Sequence, residues 1–247
     1  MFPIRDHNPS GRTPFVVYAL MAANILIFFS YLGIMDDARL LNRFYFDYAI
    51  IPARISDGVA FETLLTSMFL HGGWMHLAGN MLFLWIFGDN LEDEMGHLPF
   101  LLFYLTAGIG AGLIHVVTAP DSVVPTIGAS GAIAGVMGGY LLLFPKARVD
   151  ILLILIVYFR VFTIPAFIML GLWLAMQFLG SLASNPDEGG VAYWAHTGGF
   201  AVGLVLCIPL WLRRGGIDFW DRTHGHPPHP EHKYKLTQSR IPKVPRK

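Results

Sequence analysis

Four polar side chains stand in otherwise apolar sequence: His76 and Asn80 in WMHLAGNMLF, Ser130 in GASGAIAGVMGGYLLLF, and His196 in AHTGGFAVG. A serine hydroxyl is a poor nucleophile until a base accepts its proton, and an imidazole is well suited to accept it. Ser130 and His196 together therefore have the parts for acyl transfer. His76 and Asn80 are four residues apart and share a helix face, so both could donate hydrogen bonds to an oxygen that becomes negative during attack. A backbone N–H near Ser130, at the positive end of a helix, is the natural third donor. No acid is placed to orient His196. Asp187 and Glu188 lie in a loop eight or nine residues before it, and Asp89, Glu92, Asp93 and Glu94 fall at the opposite end of a helix. The expectation is a Ser–His pair without a third member. The plain alternative for His76 and Asn80 is that they tie helices together by hydrogen bonds.

These residues need elements to carry them. Of the 247 residues 54% are hydrophobic and 14% charged, with a mean hydropathy of +0.53, which is outside the range of ordinary soluble domains and indicates a polytopic membrane protein. The expected class is all-α, with six membrane-spanning helices: 14–33, 74–87, 98–118, the Ser130 helix, 164–182 and 195–212. Residues 1–13 form a polar segment, 14–212 the membrane domain, and the basic, His- and Pro-rich stretch 213–247 a disordered tail. The aromatic-rich connection from Met35 to Glu62 is expected to fold back on the bilayer interface. The apolar run 151–159 is too short to cross and is expected to lie along that interface. The single cysteine, Cys207, has a buried structural role. Formal net charge is zero, which gives no indication of a nucleic-acid partner.

With six spans both termini share a face. All but Arg39, Arg43 and Arg54 of the 17 Lys and Arg residues fall on that face, which the positive-inside rule makes cytoplasmic. Counting back from Asp89, Pro145 and Arg213, the residues His76, Ser130 and His196 come out roughly 20 to 26 Å along their helices. All three then lie at one depth, about 4 to 10 Å below the outer surface of a ~30 Å core. Glycines accompany both residues: Gly128 before Ser130 with Gly131 and Gly135 after it, and Gly199 and Gly203 after His196. Small residues on facing helices permit close backbone approach, enough to bring the imidazole to the hydroxyl.

HLAGN at 76–80, GASG at 128–131 and AHTGGFAVG at 195–203, in this order on successive even-numbered spans, resemble the rhomboid family of intramembrane serine proteases. The resemblance runs from about Arg39 to Leu212. It implies a six-helix rhomboid-like bundle, with Ser130 as nucleophile, His196 as general base, and His76, Asn80 and the Ser130 amide as oxyanion donors. Glu92 and Gly96, in LEDEMG, match positions whose role in the family is structural. The implied substrates are transmembrane segments of other membrane proteins, cut near the outer face. The site would need no metal and no cofactor, with lipid as its surroundings. The expected location is a bacterial plasma (inner) membrane. Ser184–Gly190 would suit a lid, and the bulky fifth helix (Trp173, Met176, Phe178) a side door for substrate. One departure is Ala134, where several relatives place a ring beside the catalytic histidine; Tyr193, Trp194 or a nearby aromatic would have to orient His196 instead.

Two other readings of the same residues remain at this stage. An inactive relative would bind membrane helices without cutting them. A small transporter would use His76, His115 and His196 as a proton relay. His71 and His76 are five residues apart and point different ways, which disfavours a shared metal. For His115 an interhelical hydrogen bond is expected. Oligomeric state is not legible in the sequence.

Overall fold

The computed structural model describes residues 2–155, 158–185 and 189–234. It is mostly helical. After a short strand, β1 (Phe2–Asp6), come α1 (Phe15–Tyr31), α2 (Ala38–Tyr48), α3 (Pro52–Ser56), α4 (Thr63–Thr66), α5 (Trp74–Met95), α6 (His97–Thr118) and α7 (Ser130–Leu143). A hairpin of β2 (Arg148–Leu155) and β3 (Tyr158–Pro165) leads to α8 (Ala166–Ala183), α9 (Tyr193–Arg213) and α10 (Ile217–Thr223). Among the described residues four helical stretches are long and apolar enough to cross a membrane: Phe15–Ile34, α6, α8 and α9. Helix α5 has similar length but carries Asp89, Glu92, Asp93 and Glu94 in its last two turns, and α7 is shorter. The acidic segment expected to follow the second span is thus a continuation of its helix.

The centre of the bundle is α7. Gly131 through Tyr140 are all buried, and the helix packs against α5, α6 and α9. Its composition suits that place, because small residues let three neighbours close in at once. The approach to α9 is the closest. A Cβ on Gly199 would collide with the Gly131 carbonyl oxygen, and one on Gly203 with the backbone of Gly135.

Helix α1 begins against a buried acid. Glu92 accepts hydrogen bonds from the N–H groups of Val16 and Val17, both at 2.8 Å, and its Oε1 lies 2.5 Å from His97 Nδ1. The first N–H groups of a helix have no partner within it, and a carboxylate there also meets the positive end of the helix dipole. Gly96 links α5 directly to α6 at φ +83°, a conformation glycine adopts without steric penalty.

The sheet is a correction to the all-α expectation. The apolar run expected to be a single interfacial segment contributes to the two strands of a hairpin. From Arg148 onward β2 and β3 pair antiparallel, Arg148 opposite Pro165 and Ile151 opposite Phe162, and β1 adds antiparallel to β2 with Asp6 opposite Val149. Val149, Ile151, Val161 and Ile164 are β-branched residues that favour a pleated surface. A short apolar run can therefore satisfy its backbone by pairing. Asp150 holds the sheet together: Arg5 Nε donates to its Oδ2 at 2.7 Å, Thr163 Oγ1 to its Oδ1 at 2.5 Å, and His7 Nε2 lies 2.9 Å from Oδ1. Tyr140 Oη donates to Asp6 Oδ2 at 2.7 Å, fastening β1 to the end of α7.

Residues 214–234 of the tail are described and include a further helix. In α10, Trp220 Nε1 donates to the Leu142 carbonyl at 2.9 Å, and the N–H of His232 donates to His7 at 3.0 Å. The segment around His232 thus meets the residues that follow β1. Residues 235–247 of the expected disordered tail, and Asp187 and Glu188 of the expected lid, lie outside the described residues. The connection from Met35 onward forms α2, capped by Asp37, whose carboxylate accepts from Arg39 N and Leu40 N at 2.9 and 3.1 Å. Its Phe44 ring sits 4.8 Å from Tyr31 and 4.9 Å from Tyr48.

Candidate active site

Ser130 is the first residue of α7. The loop that delivers it is clamped, not free: Thr126 and Ile50 exchange N–H···O bonds of 2.7 and 3.1 Å, and the Gly128 N–H donates to Ser67 at 2.9 Å. Gly128 has φ +128°, and a Cβ there would run into the His76 ring. Glycine is thus required both by conformation and by the imidazole that fills the space. The Ser130 N–H lies in the first turn, where no carbonyl four residues earlier belongs to the helix.

His196 enters from the first turn of α9, on the helix that meets α7 glycine to glycine. Its Nε2 lies 2.7 Å from Ser130 Oγ, well inside hydrogen-bond range. Its Nδ1 lies 2.9 Å from the side-chain oxygen of Gln177, on α8. The ring beside it is Trp173, also on α8, with centroids 5.9 Å apart and planes 32° from parallel. Of the aromatics considered for this place, Tyr193 packs against Gly180 and Trp194 meets Phe178 at 6.5 Å. Gln177 was missed by sequence reasoning. The signal was there: an amide side chain in the middle of an apolar helix has to find a partner.

His76 and Asn80 come from the first two turns of α5. Both line one cavity of about 820 Å³ with Ser130, His196, His115 and Trp173. Asn80 is buried, and its Nδ2 donor has no partner among the described residues. An unpaired buried amide is unfavourable unless something is to bind it. The Gly72 N–H approaches His76 Nδ1 at 3.3 Å, which leaves Nε2 on the Gly128 and Ser130 side of the ring. The structure thus brings four side chains from α5, α7 and α9 to one cavity. The histidine at 115 differs from expectation: its Nε2 lies 2.9 Å from Thr126 Oγ1 in the loop before α7, so it braces that loop, and among the described residues its Nδ1 has no partner on another helix. Cys207 is fully buried on α9 with Sγ 3.8 Å from the Gly139 carbonyl.

A hydroxyl within hydrogen-bond distance of an imidazole thus shares one cavity with His76 and an Asn80 amide that has no partner among the described residues, in a multi-pass membrane protein. Residues 60–213 match the family model of the Rhomboid domain, and the chain belongs to the rhomboid family. It is 32% identical over 200 residues to "Rhomboid protein 1, mitochondrial" of Saccharomyces cerevisiae, covering 77% of this chain and 51% of that protein. Against "Rhomboid protease GluP" of Bacillus subtilis it is 36% identical over 153 residues, 62% of this chain and 27% of that one. Against the human "Presenilin-associated rhomboid-like protein, mitochondrial" it is 27% identical over 190 residues, 76% and 46% of the two chains. The chain spans about half or less of the length of these relatives. Since they are mitochondrial as well as bacterial, the family membership does not single out a bacterial inner membrane.

Proposed function

We propose that this protein is an intramembrane serine endopeptidase. The observation that carries the reading is the 2.7 Å separation of Ser130 Oγ and His196 Nε2. Ser130 Oγ attacks the scissile carbonyl carbon as its proton passes to Nε2. The resulting oxyanion is held by the Ser130 N–H, the Asn80 amide and His76. The tetrahedral intermediate collapses by expelling the amine, which takes the proton from His196, and an acyl-enzyme remains. Water then repeats the sequence, with His196 as base, and releases the acid.

The substrates are transmembrane segments, cut near the outer face. A helix has to expose its backbone before it can be cut, so segments weakened by Gly or Pro are favoured. Six crossings are assigned to α1 and α5–α9, with both termini cytoplasmic. Helix α7 spans only about 20 Å at 1.5 Å per residue, and its burial inside the bundle lets it start below the surface, where the site is. Water reaches Ser130 through the cavity at that end.

Purified protein in liposomes, with a model transmembrane substrate and a fluorophosphonate probe, tests the reading. Wild type should cleave the substrate and take the label, and Ser130→Ala should do neither while keeping its thermal midpoint. Cleavage that survives in Ser130→Ala, or a folded wild type that neither cleaves nor labels, would refute it.

A further inference from the structure

A neutral imidazole has one N–H and one lone pair, and it serves as base toward Ser130 only when Nδ1 carries the proton and Nε2 the lone pair. We propose that Gln177 of α8 is the positioning residue that enforces this tautomer on His196. The inference rests on the protease reading above. The Gln177 amide turns its oxygen, and not its NH2 group, to Nδ1 at 2.9 Å; in that orientation it can only accept, so the bond forms only when Nδ1 holds the hydrogen. The lone pair is then on Nε2, 2.7 Å from the serine hydroxyl.

Three positions on one face of α8 hold this arrangement. Trp173, one turn before Gln177, sets its ring beside the imidazole, tilted by 32° with centroids 5.9 Å apart, and limits how the imidazole can turn. One turn after, Ser181 Oγ lies 3.3 Å from the hydroxyl of Thr197, next in sequence to His196. Spacings of four residues put Trp173, Gln177 and Ser181 in one row, while Met176, Phe178 and Leu179 face outward and are exposed. A carboxylate in the place of Gln177 would bring a net charge into an apolar helix; the amide supplies the same acceptor without it. When Nε2 takes the serine proton, Nδ1 keeps its own, and the amide dipole faces the imidazolium with its negative end.

The test uses the full chain with [15N]histidine in lipid nanodiscs, comparing wild type with Gln177→Met, Gln177→Leu and Gln177→Glu. The His196 signals are those lost in His196→Asn. Wild type and Gln177→Glu should show a protonated Nδ1 and a bare Nε2, and the two apolar variants a mixture of tautomers. On a cleavable substrate the apolar variants should lose kcat about 10- to 100-fold with KM unchanged, as expected for a general base that is wrongly protonated much of the time. Gln177→Glu should recover most of the rate. Wild-type tautomer and kcat in either apolar variant would show that the side chain only fills space, and would overturn the proposal. If wild type itself neither cleaves nor labels, the protease reading fails, and the tautomer comparison still decides whether Gln177 sets the protonation of the ring.

Discussion

The backbone of Gly199 on α9 lies directly on the carbonyl of Gly131 on α7, so closely that a single methyl group between them has nowhere to go. Each glycine is one residue or one turn from a reacting side chain. The contact therefore sets how closely Ser130 Oγ and His196 Nε2, 2.7 Å apart, can approach.

Gly199→Ala should force α7 and α9 apart. Overpacking of this kind destabilises by about 1–3 kcal/mol, and the displacement should remove most cleavage even where the fold survives. Gly171→Ala is the matched control, because nothing lies within 4 Å of the added carbon. Thermal unfolding and cleavage of both variants check this; an active, unshifted Gly199→Ala would be a contrary result.

Asn80 offers a way to separate catalysis from architecture. Its Nδ2 makes no bond among the described residues, so Asn80→Ala should leave the thermal midpoint nearly unchanged. As a lost oxyanion donor it should lower kcat by about 10²–10³ with little change in KM. Should stability drop and kcat hold, Asn80 would instead be a tie between helices.

Glu92 should behave in the opposite way. Glu92→Ala strips two backbone N–H groups of their acceptor at the start of α1, a loss of about 2–4 kcal/mol for charge-assisted bonds in a buried place. Glu92→Gln, with an acceptor but no charge, should lose about half as much. Rates per folded molecule should stay at wild type in both, measured by unfolding and by active-site labelling.

Two carboxyls in the sheet region should respond to pH with opposite sign. Burial works against the Asp150 carboxylate, but the bonds from Thr163, His7 and Arg5 outweigh it and hold its pKa below the ordinary value. Its contribution to stability is then fully present above about pH 4, the unfolded value, and lost as pH falls through the depressed one. Burial, and then the charge of Asp89, push Asp6 well above the ordinary range against the Tyr140 hydrogen bond. The folded state therefore favours protonated Asp6, and stability falls as pH rises through that raised value. Amide exchange in Phe2–Asp6 should show both limbs. Asp150→Asn should abolish the acid one, and Asp6→Asn, which still accepts from Tyr140, the one at higher pH.

The sheet and Gln177 are the two places where reading along the chain fell short, for the same reason. Residues 148–165 alternate enough β-branched positions to have suggested strands, but whether an apolar run pairs depends on a partner. Here that partner includes β1, some 145 residues away in sequence. Gln177 was visible as a polar group in an apolar helix, yet its partner on α9 could be found only once α8 was set beside it.

Residue types and helical spacing by themselves determined that this is a membrane protein and that Ser130, His196, His76 and Asn80 are its unusual polar groups; the structural role of Glu92 and Gly96 came from the family resemblance. The first two are local facts, because hydropathy and the 3.6-residue period are written in short stretches of chain. Only the tertiary structure decided that α7 and α9 touch through bare backbone, that an amide and not an acid or a tyrosine meets Nδ1 of His196, and that the stretch around His232 meets the N-terminal segment beside a small sheet. These depend on contacts between distant segments, and a sequence pattern specifies which faces are able to meet without specifying which ones do.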